Sequence, residues 1–268
     1  MSRVLSLSAA GAASTFALAL VLSLAAPMTA SAQNAALCAA PPESAGLEHA
    51  PVHLRERIAQ GRPIKIVAIG SSSTFGSGAT SPANSYPSRL EAELKAQLPG
   101  LPVTVLNKGI GGEEAPQMVA RFDADVIDES PDLVLWQVGS NSVLRDHPTP
   151  GEVIRQGVER LKESGTDVIL INPQFAPKIL AKADIGHAVD VITATARDAE
   201  VGVFDRFAVM RYWRESERIP FEQFLSPDLL HMNDWSYACT AKLLAAAILD
   251  GTKLPVATAT APVTTAKP

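Results

Sequence analysis

The chain has no excess of positive charge and lacks the loops that bind nucleotides. Among its 268 residues, 23 lysines and arginines stand against 28 aspartates and glutamates, a formal net charge of −5 at pH 7. Proteins that bind nucleic acid carry clustered basic residues, and the sequence shows no such cluster. The glycine- and serine-rich stretch 70–78 contains no lysine, so it is not a phosphate-binding loop. It also lacks the third glycine of a dinucleotide fingerprint. Nucleic acid is therefore excluded as a partner.

Cysteine is scarce, because the chain has only Cys38 near its beginning and Cys239 near its end. An even number of cysteines in an exported protein indicates a disulfide bond, since the compartments outside the cytoplasm are oxidising. We therefore expect a Cys38–Cys239 bond. The alternative is a pair of buried thiols, which an exported protein favours less.

Export itself is predicted from the first 32 residues. They contain Arg3, then a Leu-, Ala- and Val-rich segment, and they end in Thr-Ala-Ser-Ala at 29–32. This order is typical of a secretory signal peptide with a small-residue cleavage site near Ala32. An uncleaved membrane anchor is the alternative, which the many serines, glycines and alanines of the segment disfavour. We expect a periplasmic or secreted protein with no stable membrane anchor.

The remaining chain divides into three parts by composition. Residues 33–62 form a leading segment that contains a short helix, and residues 63–253 are long enough for one domain with a full hydrophobic core. Residues 254–268 are mostly alanine, threonine and proline without apolar periodicity, and we expect this tail to be disordered.

The domain begins with a short apolar run followed by small hydroxyl residues. Residues 64–69 read Ile-Lys-Ile-Val-Ala-Ile, which is typical of a strand buried on both faces of a parallel sheet. Gly70, three serines and Thr74 follow directly. The nucleophile elbow of α/β-hydrolases would need glycine at position 74, so that motif is absent. The remaining interpretation is a Gly-x-Ser-x-Thr turn. By itself, this pattern is more often an ordinary loop than the site of a nucleophilic serine.

Strands and helices alternate along the rest of the domain. After the strand at 64–69, four more are predicted at 103–106, 133–138, 168–171 and 201–204, and the main helices are predicted at 86–98, 179–200 and 235–249. Connections long enough to hold a helix favour parallel strands. The predicted fold is therefore a three-layer α/β/α sandwich around a five-stranded parallel sheet, with the flavodoxin-like strand order 2-1-3-4-5.

Polar motifs follow the ends of these strands. They are Ser71 to Thr74 after the first strand, Asn107 to Gly112 after the second, Gly139 to Ser142 after the third and Asp228 to His231 after the fifth. In a doubly wound sheet, the carboxyl ends of the strands face the ligand-binding crevice. We therefore expect the four motifs to meet in space.

With these four motifs, the chain resembles the SGNH (GDSL-type) hydrolase family, and the resemblance spans roughly residues 64–249. Gly70 to Thr74 is similar to the first block of the family, Gly109 and Gly112 to the second, Gly139-x-Asn141 to the third and Asp228-x-x-His231 to the last. The resemblance implies that Ser72 is the nucleophile, His231 the general base and Asp228 the residue that orients it. It also implies an oxyanion hole formed by the N–H groups of Ser72 and Gly112 and by the Asn141 side chain.

The required chemistry is consistent with these residue types. A serine hydroxyl is a poor nucleophile until a neutral histidine takes its proton. A carboxylate behind the histidine sets its tautomer and stabilises the imidazolium. Glycine lets a backbone N–H approach an oxyanion closely, and an asparagine side chain can donate a second hydrogen bond.

Three positions depart from the family pattern. Ser71 and Ser142 stand where the family usually has aspartate, and Ser73 replaces the usual aliphatic residue. Neither Ser71 nor Ser142 takes a direct part in the implied mechanism. The serines at 71 and 73 are rival nucleophiles, but Ser72 has the correct register with Gly70 and Thr74.

Together these features predict an exported serine esterase that acts on a small-molecule or glycan ester through an acyl-enzyme, as a monomer and without metal or cofactor. An O-acyltransferase with the same acyl-enzyme is an alternative. A catalytically silent glycan- or lipid-binding module is another, although such a module does not need Ser72, Asp228, His231 and Asn141 together. The length of the acyl chain and the nature of the alcohol stay open.

Overall fold

The fold was taken from a computed structural model that describes residues 38–252. Its five strands are β1 (Ile64–Gly70), β2 (Val103–Gly109), β3 (Leu133–Gln137), β4 (Asp167–Ile171) and β5 (Gly202–Phe204). All neighbouring strands pair in parallel, in the order β2-β1-β3-β4-β5. The predicted fold class and strand order are confirmed.

Two helices precede the first strand, and the others lie between and after the strands. They are α1 (Pro42–Ala45), α2 (Val52–Ala59), α3 (Ser72–Phe75), α4 (Tyr86–Gln97), α5 (Ala115–Ala120), α6 (Ser140–Leu144), α7 (Gly151–Glu163), α8 (Pro177–Leu180), α9 (Ile185–Asp198), α10 (Arg206–Glu215), α11 (Phe221–Phe224) and α12 (Asp234–Thr252). A short 3₁₀ helix (Pro82–Asn84) and a π-helical turn (Asp123–Ile127) complete the list for residues 38–252.

Alternation along the strands creates two hydrophobic cores, one on each face of the sheet. In β1, Ile66 and Ala68 face one core and Val67 and Ile69 face the other. Side chains of α4, α10 and α12 complete the first core, and side chains of α5, α7 and α9 complete the second. Because successive residues of a strand point to opposite faces, a strand that is apolar throughout is buried on both sides.

Two predicted boundaries were wrong. β2 continues to Gly109, because Asn107, Lys108 and Gly109 pair in register with the last three residues of β1. The helix predicted over 179–200 is divided into α8 and α9, and α8 begins at Pro177, which takes the first helical position that proline prefers. Both errors concern polar or mixed segments, whose structure depends on neighbours that are distant in sequence.

A disulfide bond joins the leading segment to α12. The Cys38 and Cys239 Cα atoms lie 5.2 Å apart, and Cys239 is fully buried. Beside this bond, the Trp213 indole N–H donates a 3.0 Å hydrogen bond to the Ala39 carbonyl oxygen. The predicted bond is thus present, and it attaches a segment that contributes no strand to the sheet.

We expect reduction of this bond to lower the free energy of unfolding by roughly 2–5 kcal/mol, because the bond closes a very long loop in the unfolded chain. Urea unfolding of the oxidised and the dithiothreitol-treated protein measures the difference. A Cys38→Ala/Cys239→Ala variant is the control, since dithiothreitol should not change its midpoint. Equal midpoints for the oxidised and reduced wild type would contradict the expectation.

The predicted signal peptide and the predicted tail at 254–268 lie outside the described residues. Within residues 38–252, no helix combines the length and the apolar character that a membrane span requires. The division into a leading segment at 33–62 and a domain at 63–253 stays a prediction.

Candidate active site

Ser72 lies at the carboxyl end of β1. This is the topological switch point of the sheet, because the chain adds β2 on one side of β1 and β3 on the other. It is the first residue of the short helix α3, which ends at Gly76 in the left-handed conformation (φ 103°). The Ser71 and Ser73 side chains beside it are 1% and 2% exposed, whereas Ser72 is half-buried. Burial therefore leaves Ser72 as the accessible hydroxyl of the three.

His231 and Asp228 approach Ser72 from the turn before α12. The Ser72 Oγ lies 2.8 Å from His231 Nε2, although the two residues are 159 positions apart in sequence. On the other side of the imidazole ring, Nδ1 lies 2.5 Å from Asp228 Oδ2. The structure thus brings together the three residues that the sequence predicts, in the order hydroxyl, imidazole, carboxylate.

The Asp228 carboxylate also organises the turn that carries His231. Its Oδ1 accepts hydrogen bonds from the Ser226 hydroxyl (2.6 Å), the Leu230 N–H (3.0 Å) and the His231 N–H (2.9 Å). Partial burial alone would raise the pKa of Asp228, but the hydrogen bonds from Ser226, His231 and the backbone outweigh it and hold the pKa well below its usual range. The carboxylate is therefore ionised at neutral pH.

The loop after β2 lies against the helix that begins at Ser72. A Cβ atom on Gly109 would lie 2.1 Å from the Phe75 nitrogen, so only glycine allows this approach. A Cβ on Gly111 would lie 4.0 Å from the Ser72 Cβ, and Gly112 has a positive φ of 82°. The loop of residues 109–112 is therefore adjacent to the Ser72 side chain.

The predicted hydrogen-bond donors of the oxyanion hole have free capacity. Within residues 38–252, the N–H groups of Ser72 and Gly112 have no acceptor. The Asn141 Nδ2 donates one hydrogen bond of 2.8 Å to the Glu113 carbonyl oxygen, which leaves its second N–H. Each of the three groups therefore has one N–H left to donate.

A polar cluster that was not predicted from the sequence holds the Gly112 peptide. The Arg145 guanidinium donates from Nη2 to the Gly112 carbonyl oxygen (2.8 Å) and from Nη1 to Glu114 Oε1 (2.6 Å). The Ser142 hydroxyl donates to the other carboxylate oxygen of Glu114 (3.1 Å). Ser142, at the position where SGNH hydrolases usually have aspartate, thus helps to position Glu114 behind the Gly112 loop.

Sequence reasoning also missed the residues that support Ser71 and Asp228. The Gln137 Oε1 accepts hydrogen bonds from the Ser71 N–H (2.9 Å) and from the Ser71 hydroxyl (2.8 Å). Ser226 supports Asp228 from two residues upstream. The signal for Gln137 was a single polar residue at the end of an otherwise apolar strand. In the described part of the chain, no cluster of three or more His, Cys, Asp or Glu side chains is arranged to hold a metal ion.

Gly78 is expected to be essential for the position of His231. A Cβ at this position would lie 2.4 Å from the Met232 carbonyl oxygen and 3.0 Å from the His231 Cβ, and Gly78 has a φ of 90°. Gly78→Ala should therefore displace the His231 turn, and a displacement of about 1 Å can lower activity on the order of 100-fold. Steady-state kinetics on a chromogenic ester measure the effect.

Gly100→Ala is the matched control for Gly78→Ala. Gly100 also has a positive φ, 86°, but a Cβ there would have nothing within 4 Å. It lies before β2, at the opposite edge of the sheet. We expect this variant to lose stability but to keep its turnover number, and an equal loss of turnover in both variants would contradict the role of Gly78.

Comparison with known proteins agrees with this fold. A model of the Non-GDSL lipase-like family matches residues 37–254. An acetylxylan esterase from Geobacillus stearothermophilus is 40% identical over 57 residues, which cover 21% of this chain and 26% of that protein. A solved two-domain esterase active on acetylated mannans has a TM-score of 0.67 at 21% identity, over 82% of this chain and 58% of that one. The solved acetylxylan esterase Axe2 from Geobacillus stearothermophilus has a TM-score of 0.56 at 22% identity, over 72% and 95%.

These comparisons differ in what they establish. At 21% and 22% identity, the solved structures show a common fold. The chain spans little more than half of the solved mannan esterase, and its alignment with the curated esterase covers about a quarter of that protein. The predicted resemblance to SGNH hydrolases is confirmed at the level of a lipase-like family, and its GDSL subtype stays a prediction. Because the family model matches residues 37–254, this chain belongs to the Non-GDSL lipase-like family.

Proposed function

We propose that this protein is an exported serine ester hydrolase with SGNH-type chemistry that removes acetyl groups from a glycan. The observation that carries the proposal is the hydrogen-bonded series from Ser72 through His231 to Asp228, with distances of 2.8 and 2.5 Å. A serine, a neutral histidine and an ionised carboxylate in this order form the arrangement that activates a hydroxyl for acyl transfer.

The proposed reaction has two halves. The Ser72 Oγ attacks the ester carbonyl carbon while His231 Nε2 takes the hydroxyl proton. The tetrahedral intermediate then expels the alcohol, which receives that proton from His231, and an acetyl-serine is left. Water attacks the acetyl-serine in the same way, and its proton passes through His231 to Ser72 as acetate leaves. Asp228 holds the imidazole and stabilises its charged form throughout.

The oxygen of each tetrahedral intermediate carries a negative charge that needs hydrogen-bond donors. We assign this role to the N–H groups of Ser72 and Gly112 and to the Asn141 side chain, because each has one N–H without an acceptor within the described chain. Arg145 keeps the Gly112 peptide in place through its carbonyl oxygen. Each donor of this kind typically contributes roughly 3–4 kcal/mol to stabilisation of the transition state.

An acetylated glycan is the substrate that the surroundings of Ser72 favour. Phe75, Ile110 and Leu229 are exposed large apolar side chains, and each lies within three residues of Ser72, Gly112 or Asp228. Exposed apolar side chains can contact the C–H face of a sugar ring while the ring hydroxyls stay in water. The names of the similar proteins point to the same substrate class, since they act on acetylated xylan and acetylated mannan.

Export belongs to the same proposal. A protein that acts on a polysaccharide needs to reach it outside the cytoplasm, and a disulfide between Cys38 and Cys239 forms readily there. The predicted cleavage near Ala32 can be checked by mass spectrometry of the secreted or periplasmic protein.

A panel of esters tests the proposed function. We expect kcat/KM to be highest for p-nitrophenyl acetate and to fall for the butyrate and octanoate, and we expect acetate to be released from acetylated xylan or mannan. The Ser72→Ala variant is the control for both assays. Rates that rise with chain length would reject deacetylation in favour of a lipid ester. Transfer of acetyl to an added sugar would identify an acyltransferase, and glycan binding without any turnover would identify a binding module.

A further inference from the structure

A series of buried polar side chains runs beneath the site along the carboxyl edge of the sheet. Its members lie at or just after the carboxyl ends of β1, β3, β4 and β5. Each is between 1% and 3% exposed: Ser71, Gln137, Ser140, Gln174 and Arg206. We call these five residues the buried polar series. Neighbouring members are linked by hydrogen bonds, so the series connects four of the five strands.

Arg206 determines the direction of these hydrogen bonds. A guanidinium only donates, so the atom of Gln174 that faces its Nη2 at 3.1 Å is the amide oxygen. The Ser140 hydroxyl lies 2.8 Å from the same oxygen and therefore donates to it. The Gln174 Nε2 is then directed to the Leu230 carbonyl oxygen at 3.3 Å.

The hydrogen bonds keep the same donor-to-acceptor direction as far as Ser71, at the other end of the series. Because the Ser140 proton is used toward Gln174, its oxygen can accept from Gln137 Nε2, at 3.4 Å. The Gln137 Oε1 then faces Ser71 and accepts both its N–H and its hydroxyl proton. A donor-only residue at one end thus assigns the amide orientation of both glutamines.

The two ends of the series lie next to the reacting groups. Ser71 precedes Ser72, and Leu230 lies between Asp228 and His231. The nucleophile and the base are therefore held, through backbone atoms, by one hydrogen-bonded structure. The polypeptide chain itself does not hold them close together, because they are 159 residues apart in sequence.

Burial of the Arg206 guanidinium costs desolvation free energy that its hydrogen bonds to neutral oxygen atoms do not offset. Arg206 is 1% exposed, and its hydrogen bonds go to the Asn172 carbonyl oxygen and the Gln174 amide oxygen rather than to a carboxylate. Within residues 38–252 its Nη1 has no partner. Burial lowers the pKa of Arg206 to about 10, so it is still charged at neutral pH. Buried charges without a counter-charge are unfavourable, which indicates a role other than stability.

We propose that Arg206 and Gln174 are positioning residues for the reaction, and that the donor-only guanidinium orients the buried polar series so that the Ser72 and His231 backbones are held in register. Without Arg206, the Gln174 amide can turn over. Its oxygen would then face the Leu230 carbonyl oxygen, and the turn that carries His231 would lose its support. This role rests on the proposed function for its kinetic test, but its structural test does not depend on turnover.

Gln174→Glu and Arg206→Met test the proposal. The glutamate keeps an acceptor for Arg206 but has no N–H for Leu230, and the methionine removes the guanidinium while keeping an apolar side chain of suitable length. We expect both variants to lower kcat for p-nitrophenyl acetate on the order of 100-fold, with KM changed much less, since displacement of about 1 Å has this effect. Arg206→Lys, which can still donate to Gln174, should restore much of the rate.

Val209→Ala is the matched control. Val209 is fully buried in α10, one turn after Arg206, and has no polar contact with the series. Its truncation should lower the melting temperature without changing kcat. Gln174→Glu should keep or raise the melting temperature, because the new carboxylate pairs with Arg206, so that activity and stability change independently.

Proton NMR supplies the readout that is independent of catalysis. A proton shared between His231 Nδ1 and Asp228 gives a resonance far downfield, which His231→Ala identifies by its absence. We expect this resonance to shift or broaden in Gln174→Glu and Arg206→Met but not in Val209→Ala. An unchanged resonance in both variants would overturn the proposal, and so would a shifted resonance with unchanged kcat. If the wild type hydrolyses no ester, the proposed function is refuted. The downfield resonance of the variants then decides by itself whether Arg206 and Gln174 position the His231 turn.

Discussion

Replacement of Ser72 by alanine is expected to lower ester hydrolysis on the order of 10⁵- to 10⁶-fold, because loss of the proposed nucleophile would disable the whole unit of serine, histidine and aspartate. The Ser72 hydroxyl is the one that reaches His231 Nε2, at 2.8 Å. The fold should be unaffected, since Ser72 lies at the surface of the sheet edge and is linked to His231 through one side-chain hydrogen bond. Kinetics on p-nitrophenyl acetate and thermal unfolding measure the two quantities.

Fluorophosphonate labelling makes this prediction specific to one residue. The wild type should be labelled at Ser72 alone, and Ser72→Ala should not be labelled. Ser73→Ala is the matched control, because Ser73 is 2% exposed and cannot be reached by the reagent. A label on Ser71 or Ser73, or turnover by Ser72→Ala near that of the wild type, would refute the assignment of the site.

Replacement of Asp228 by asparagine is expected to lower kcat by about 10³- to 10⁴-fold without unfolding the protein. Three hydrogen atoms point at the Asp228 Oδ1, from Ser226, Leu230 and His231, so an asparagine would place its oxygen there. Its amide N–H₂ would then face His231 Nδ1, which would have to accept. The imidazole proton would move to Nε2, and a protonated Nε2 cannot take the proton of Ser72.

A second observation separates this tautomer effect from general damage. Asp228→Ala loses the three hydrogen bonds at Oδ1 as well and should be less stable than Asp228→Asn. The asparagine variant should therefore combine a near-normal melting temperature with a very low kcat. If Asp228→Asn kept kcat within tenfold of the wild type, the orientation of the imidazole by Asp228 would not limit the reaction.

The low pKa of Asp228 also predicts the direction of a stability effect. A carboxylate whose pKa is lower in the folded state stabilises that state above its unfolded pKa, about 3.9 for aspartate, and this contribution is lost as the pH falls further. Acid unfolding of the wild type should therefore include a contribution that Asp228→Asn lacks.

Much of the fold could be predicted because its signals are local. β1 and β3 are apolar runs of the length of a strand, and α4 has leucines at helical spacing. The strand order followed from these elements and the general rules of parallel sheets. The boundaries of β2 and of the 177–198 region were less predictable, because the pairing of Asn107 to Gly109 with β1 depends on a strand more than thirty residues away.

The sequence by itself determined the fold class, the alternation of apolar residues that creates two cores, and the small set of residues from which a serine-hydrolase site can be built. Backbone propensity and side-chain chemistry suffice for these, since both are properties of short segments. The tertiary structure decided which hydroxyl is accessible, which side chain supports the Gly112 loop, and how Arg206 orients the amides of Gln137 and Gln174. Burial and hydrogen-bond direction depend on groups that only the folded chain brings together, so no local pattern contains them.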